Sequence, residues 1–166
     1  MGAWDAWIGR AETRTDTVDA GLVSRWLATF DRELPSDGNV PQGLHWCLCL
    51  PDAATAKLGS DGHPLRNDGA ESFLPPMPLP RRMWASSKVT FLKPLHVGEA
   101  VTRTSRILSI TEKSGNSGQL AFVDVAHETT GENGLKVREV QSIVYREAVG
   151  TETPLSPPSA GTTGFD

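Results

Sequence analysis

The residue types that could carry chemistry in this chain are two cysteines, a pair of arginines beside a tryptophan, and four histidines. Cys47 and Cys49 are separated by one residue, which is too close for an ordinary structural disulfide. A Cys-x-Cys pair can supply half of a metal site, but the sequence has neither a second cysteine pair nor two histidines at ligand spacing. We therefore expect buried thiols that act as small apolar side chains, and nothing here requires a metal.

The arginines belong to a basic and aromatic stretch, Arg81-Arg82-Met83-Trp84. Planar guanidinium groups suit phosphate oxygens, so both arginines are candidates for binding a phosphorylated ligand. The alternative is that they form salt bridges at a contact with another domain. Trp84 is expected in the core or at an interface, where aromatic side chains concentrate.

Four segments around and after this stretch have the composition of β-strands. They are rich in Thr, Ser, Val and Ile, which pack well on a pleated surface, and turn residues separate them. A glycine-containing turn between the second and third segments predicts a hairpin. In the last segment the alternation of apolar residues is interrupted, which indicates a bulge. The predicted strands are Lys88–Leu92, Val101–Ile110, Gln119–His127 and Leu135–Arg146.

Two earlier segments have helical or ambiguous patterns. Between Asp16 and Glu33 apolar residues recur every three or four positions, which predicts a helix with one apolar side. Asp19 lies near its start, where negative charge suits the helix dipole. The apolar run from His45 to Leu50 fits either a helix buried on all sides or a strand.

Length and composition predict one cytoplasmic domain with a tail. Residues 1–147 are long enough to form a core, whereas residues 148–166 are rich in Pro, Gly, Ser and Thr and read as a linker or disordered tail. The sequence shows no signal peptide and no apolar run of membrane-spanning length. The net charge of −4 argues against nucleic acid or an anionic membrane as the partner.

The order of these segments, together with several short motifs, resembles the MaoC-like hydratases and dehydratases of the hotdog fold. The resemblance is closer to the N-terminal half of the mesaconyl-CoA (3-methylfumaryl-CoA) hydratase group. The motifs that carry it are Trp7-Ile8-Gly9-Arg10, Leu44-His45-Trp46, Asp61-Gly62-His63-Pro64, Leu79-Pro80-Arg81-Arg82-Met83-Trp84-Ala85, Phe91-Leu92-Lys93-Pro94-Leu95-His96-Val97-Gly98-Glu99, Lys113-Ser114-Gly115 with Ser117-Gly118, and Val144-Tyr145-Arg146-Glu147.

This resemblance implies an α+β fold, a single hotdog whose antiparallel sheet wraps around a central helix that begins near His45. It implies half of an acyl-CoA hydratase or dehydratase, which supports a catalytic partner hotdog and has little or no activity alone. The substrate is then a coenzyme A thioester with no further cofactor, and the chain pairs with a second copy or another hotdog. An acyl-CoA thioesterase and a non-catalytic acyl-CoA-binding or assembly domain are the alternatives.

The resemblance also implies site residues. MaoC-like enzymes use an Asp and a His from an Asp-x-Asn-Pro-x-His segment, and the similar string here makes Asp37 and His45 the catalytic candidates, although they are eight residues apart. The alternative for His45 is a core or helix-start histidine. The candidates for binding coenzyme A are Arg81, Arg82, Trp84 and His63, the last of which has a turn-forming role as its alternative. Ser86 and Ser87 stand where the family has two glycines.

Overall fold

Five antiparallel strands and one α-helix form the part of the chain that the computed structural model describes, which is residues 2–59, 62–67, 69–115 and 118–148. The strands form a single sheet in the order β1-β3-β4-β5-β2, so β1 and β2 are its edges. The predicted α+β class is confirmed. The elements are β1 (Ala11–Thr17), α1 (Ala20–Thr29), β2 (Arg81–Phe91), β3 (Ala100–Gly115), β4 (Gly118–Gly131) and β5 (Gly134–Arg146).

The four predicted strands are present, and all four are longer than the sequence indicates. β2 begins at Arg81, seven residues before Lys88, because the ladder with β5 continues past a register shift between Trp84 and Ser86. The strand predicted to end at His127 continues as β4 up to Gly131. β1 was not predicted; it pairs with the first half of β3.

The bulge predicted in the last strand lies at Lys136. Thr129 pairs with Val137 and Thr130 pairs with Leu135, so Lys136 is an extra residue without a partner on β4. A bulge re-aims the side chain at its position. Here it directs a lysine into the interior, where only 1% of the residue's surface is exposed.

A buried carboxylate compensates the charge of this lysine. Lys136 Nζ lies 2.7 Å from Glu99 Oε1 and donates a hydrogen bond to the carbonyl of Pro94 at 3.0 Å. Glu99 also accepts a bond from the backbone N–H of Glu132. A Cβ atom on Gly131 would collide with the Glu99 carboxylate, so a glycine is required there. Because both charges are buried, each depends on the other for its stability.

Helix α1 packs its apolar side against one end of the sheet. Asp19 caps the helix by accepting a hydrogen bond from the Leu22 N–H at 2.9 Å. Val23 and Leu27 are buried in a core cluster that includes residues of the 40–49 segment and of β3. The helix predicted for 16–33 is therefore confirmed in its central part, and it begins four residues after Asp16 because Asp16 still belongs to β1.

The central helix predicted near His45 is wrong. The Leu44–Cys47 segment forms one turn of 3-10 helix, and a second short turn occurs at Thr55–Lys57. The backbone prevents a longer helix, since Gly43 has φ of 100° before the turn and Cys49 has φ of 55° after it. The apolar residues of this segment are instead buried beside α1.

The tail predicted for residues 148–166 lies outside the described residues except for Ala148. Of the helices in the described ranges, none has the length and apolar character needed to cross a membrane.

Candidate functional site

Two apolar clusters cover the two ends of one face of the sheet, which we call the inner face. One cluster contains α1 and Val101, and the other contains Met77, Leu79 and Tyr145. Residues paired directly across antiparallel strands share a face, as do residues two apart on one strand. The register therefore places a row of polar residues on the inner face between the clusters, namely Ser105 of β3, His127 of β4, Glu139 and Gln141 of β5, and Ser87 of β2.

Three members of this polar row are joined by side-chain contacts. Ser105 Oγ lies 2.8 Å from His127 Nδ1, and Gln141 Oε1 lies 3.3 Å from His127 Nε2. Burial lowers the pKa of His127, although the contact with Gln141 opposes that effect. The imidazole is therefore neutral at pH 7 and links two strands.

Glu139 is the centre of a second set of contacts. Its carboxylate accepts hydrogen bonds from Trp46 Nε1 at 3.2 Å and from the Ser87 hydroxyl. His45 Nε2 lies 3.6 Å from Glu139 Oε2, and Trp84 Nε1 donates to Ser87 Oγ at 3.0 Å. We call these five residues the Glu139 centre.

Glu139 is ionised despite its burial. Only 5% of the residue is exposed, and burial alone would raise the pKa of its carboxyl group. The contacts with His45, Ser87 and Trp46 outweigh burial and lower the pKa from 4.5 to about 2. The site therefore contains a fixed negative charge at neutral pH.

His45 is buried beside this charge and has an unused ring nitrogen. Its ring lies 4.8 Å from the Trp46 ring and 5.4 Å from the Phe91 ring, measured between centroids. Among the described residues, neither Nδ1 nor Nε2 has a partner within hydrogen-bond distance. If Nε2–H points to Glu139, then Nδ1 keeps a lone pair that can accept a hydrogen bond.

An exposed aromatic patch lies on the solvent side of the Glu139 centre. We define the patch as Trp46, Trp84 and Phe91, all of which are exposed to solvent. The two indole rings make an edge contact at 5.5 Å between centroids. The patch adjoins edge strand β2, whose outer side has no partner among the described strands.

A pocket of about 440 Å³ lies on the inner face, beneath the segment that precedes β2. We call it the inner-face pocket. Its wall includes Arg82 and Tyr145 from the sheet, and His63 and Arg66 from the covering segment. A volume of this size suits a small organic ligand.

The structure does not pair Asp37 with His45. Asp37 lies in an exposed turn, where its two carboxylate oxygens accept bonds from the backbone N–H and the side-chain amide of Asn39 at 3.0 and 2.6 Å. The carboxylate beside His45 belongs to Glu139. Asp37 thus lies in a local turn in which both of its carboxylate oxygens are already hydrogen-bonded.

The predicted binding residues separate into three places. Arg82 and His63 line the inner-face pocket together. Trp84 belongs to the aromatic patch. Arg81 is exposed and, being paired with Arg146, lies on the opposite face of β2 from Arg82. Arg81 does not line the inner-face pocket, and its contact with coenzyme A stays a prediction.

Glu139, His127 and Gln141 were missed by the sequence analysis. The signal that would have found two of them is the alternation of β5 counted back from Tyr145, which places Ile143, Gln141 and Glu139 on the same side. Polar residues in that register share the face that carries the core residues Ile143 and Tyr145, which is unusual without a role. Among the described residues, no group of three His, Cys, Asp or Glu side chains is arranged to hold a metal ion.

Comparison with known proteins places this geometry in a family. The family model for hydroxyacyl-thioester dehydratase type 2 matches residues 43–164. The chain is 41% identical over 160 residues to the mesaconyl-C(4)-CoA hydratase of Chloroflexus aurantiacus. That match covers 93% of this chain and 55% of the relative, so the chain spans about half the length of the curated relative it matches.

Solved structures confirm the hotdog fold. The MaoC-like dehydratase of Rhodospirillum rubrum superimposes with a TM-score of 0.54 at 14% identity, covering 86% of this chain and 94% of that one. The ChsH1–ChsH2 complex of Mycobacterium tuberculosis gives a TM-score of 0.59 at 12% identity, with 85% and 86% covered. A hot-dog-like protein of Thermanaerovibrio acidaminovorans gives 0.51 at 13% identity, with 87% and 89% covered. By its sequence match and its sheet, the chain belongs to the hydroxyacyl-thioester dehydratase type 2 family.

Proposed function

We propose that this chain is half of an acyl-CoA hydratase or dehydratase, which adds or removes water across the double bond of an enoyl-CoA thioester similar to mesaconyl-CoA. The observation that carries this proposal is the similarity along 93% of the chain to only 55% of a mesaconyl-C(4)-CoA hydratase. We propose that the remaining length of that relative forms a second hotdog domain, and that a hotdog of this kind is the partner of this chain.

The half-enzyme proposal assigns the water-activating pair to the second hotdog domain. Hydration of an enoyl thioester needs an acid and a base on one water and a group that polarises the thioester carbonyl. This chain supplies a wall of the site through the inner-face pocket and the Glu139 centre. His45 is almost fully buried and is not among the residues that line the pocket, which favours a positioning role.

The catalytic role predicted for His45 applies if the chain alone hydrates the substrate. In that case the lone pair on Nδ1 is the base, and Glu139 holds the ring through Nε2. Asp37 would have to leave its turn to take part. A His45→Ala variant that abolishes hydration by the isolated chain would establish this role and contradict the half-enzyme proposal.

The partner domain is proposed to bind along β2. This edge strand is 11 residues long, its outer side is unpaired among the described strands, and the aromatic patch adjoins it. Such an edge recruits another strand. Two copies of this chain can meet in the same way around a two-fold axis. Sedimentation should show a dimer at micromolar concentration, and Trp84→Arg should shift it toward monomer.

The substrate is proposed to be a coenzyme A thioester, with no additional cofactor. Of the four predicted contact residues, Arg82 and His63 share the wall of the inner-face pocket, which makes them the first to test. Trp84 is proposed to act at the rim, through the aromatic patch. A thioesterase of this fold would need a carboxylate on a central helix, and the segment around His45 forms only short turns of 3-10 helix.

The proposal is tested by complementation. The partner is the part of the Chloroflexus aurantiacus hydratase that this chain does not match, produced as a separate polypeptide. Hydration of mesaconyl-C(4)-CoA is measured for each polypeptide and for the mixture. We expect the mixture to exceed the sum of the separate rates and to saturate at equimolar ratio. A mixture rate equal to that sum contradicts the half-enzyme proposal.

A further inference from the structure

One end of the inner-face pocket is built around a buried tyrosine between two arginines. Tyr145 is 1% exposed. The guanidinium of Arg66 lies over its ring, 5.5 Å from the centroid, and Arg82 is paired with Tyr145 across the β2–β5 ladder. Both arginines and the tyrosine line the pocket. We call this group the arginine end.

The two arginines differ in how their hydrogen-bond donors are used. Arg66 is committed to the backbone, since it donates to the carbonyls of Met77 and Leu79. For Arg82, no carboxylate among the described residues lies within ion-pair distance. Its guanidinium is hydrogen-bonded to the Tyr145 hydroxyl, and the remaining donors of its planar fork are available to a ligand in the pocket.

The charge of the pocket is also unbalanced. Its described lining contains three arginines and two glutamates, a positive excess of one with His63 counted as neutral. One glutamate, Glu12, is paired with Arg14 at 3.6 Å, at the opposite edge of the sheet from Arg82. Glu71 is exposed on the covering segment. The uncompensated positive charge thus lies at the arginine end.

Tyr145 supplies a neutral donor beside this charge. Burial raises the pKa of its hydroxyl group, and the nearby guanidinium of Arg82 only partly opposes the rise. The phenol is therefore protonated at physiological pH and can donate a hydrogen bond. A guanidinium fork next to a phenol O–H is a suitable arrangement for a carboxylate, which accepts bonds on two oxygens.

We propose that the arginine end binds a free carboxylate at the far end of a short acyl thioester, with Arg82 as the anion-binding residue. The inference rests on the proposed function, and it names the residues that recognise the free carboxylate of a substrate similar to mesaconyl-CoA. The carboxylate would accept two hydrogen bonds from the Arg82 guanidinium and one from Tyr145 Oη. The acyl carbon chain would then lie against Phe73 and Leu74, which line the same pocket.

The surroundings favour a carboxylate over the phosphate groups of coenzyme A. The pocket lies on the inner face and is covered by the segment around residues 63–75. Phosphate groups carry several charges that need several cations, and the arginine end offers one guanidinium, that of Arg82, without a carboxylate partner among the described residues. Removing a multiply charged group from water into this partly apolar pocket would cost more than one cation returns. A single carboxylate matches the available charge.

Binding of saturated thioesters tests this inference without turnover. Succinyl-CoA and butyryl-CoA differ only by a carboxylate in place of a terminal methyl group, and neither has a double bond to hydrate. Calorimetry on the full chain should give a Kd for succinyl-CoA roughly 10- to 100-fold lower than that for butyryl-CoA, the effect of a charge-assisted contact. Arg82→Gln should abolish that ratio by raising the Kd for succinyl-CoA to that for butyryl-CoA.

Two further variants control for folding and for general charge. Arg138→Gln removes the same charge from the outer face of β5, where Arg138 pairs with Glu128, and it should keep the full preference for succinyl-CoA. Arg82→Lys keeps the charge without the planar fork and should retain part of the preference.

The inference is overturned if the wild-type chain does not prefer succinyl-CoA, which includes the case that it binds neither thioester. It is also overturned if Arg82→Gln weakens the binding of both thioesters equally, because that result means that Arg82 contacts the coenzyme A part that they share. The chain could prefer succinyl-CoA through Arg82 and yet never support hydration. That result would retain this inference and refute the proposed function.

Discussion

Replacing Glu139 by glutamine tests the electrostatics of the Glu139 centre. Glutamine has nearly the same shape and keeps one carbonyl oxygen for the bonds from Ser87 and Trp46. It removes the negative charge beside His45. The change therefore isolates the contribution of the charge from the contribution of packing.

The magnitude follows from the pKa of Glu139. A fall of the pKa from 4.5 to about 2 means that the ionised carboxylate is more strongly favoured in the folded protein than in the unfolded chain. This difference corresponds to about 3 kcal/mol of stability at neutral pH. Little screening by solvent applies, because the residue is buried.

The sign of the pH dependence is also determined. A carboxyl group with a lowered pKa stabilises the folded state above its unfolded value and loses that contribution as the pH falls. The loss of stability should extend from about pH 4.5 down to about pH 2. Urea unfolding of the wild-type chain and Glu139→Gln at pH 7 should differ by about 3 kcal/mol, a midpoint shift of roughly 1–3 M. At pH 3 the difference should be smaller.

The matched control is Glu128→Gln. Glu128 is paired with Arg138 at 3.0 Å on the exposed side of the sheet, so its replacement should cost no more than about 1 kcal/mol. Equal unfolding midpoints for Glu139→Gln and the wild-type chain at pH 7 would refute the reasoning. So would a difference that does not change between pH 7 and pH 3.

Three further outcomes are expected. Lys136→Met should destabilise the protein by about 3–5 kcal/mol in thermal unfolding, because it leaves Glu99 charged and buried; replacing Glu99 by glutamine as well should recover part of the loss. Asp19→Ala removes the cap of α1 and should cost about 1 kcal/mol in urea unfolding, whereas Asp19→Asn should cost less. Cys49 should react with a thiol reagent more slowly than Cys47, because burial raises the pKa of its thiol; equal rates measured by mass spectrometry would contradict this.

Sequence patterns predicted the sheet because strand composition is a local property. A bulge in β5 was predicted from its interrupted alternation, but its position at Lys136 was not. The segment from His45 to Leu50 was misjudged because apolar composition reports burial and not backbone conformation. Its conformation depends on Gly43 and Cys49, both of which have positive φ, and a positive φ at a cysteine has no sequence signal.

The candidate site was predicted only in part, because its members come from distant segments. Arg82 and His63 were named as candidates, and the structure brings them to one pocket. His45 was named together with Asp37, which is held in its local turn, whereas the carboxylate beside His45 is that of Glu139 on β5, 94 residues further along the chain. No local pattern relates two residues at that separation; only the register of the sheet does.

The order of the strands has a consequence for how this protein acquires its site during folding. Strands β3, β4 and β5 follow one another along the chain and can pair as successive hairpins with short loops. By contrast, β1 and β2 must close loops of tens of residues before they pair, and long closures slow folding. Ser87 and Arg82 lie on β2. We therefore expect the Glu139 centre and the arginine end to be completed late in folding, and to open first when an edge strand detaches.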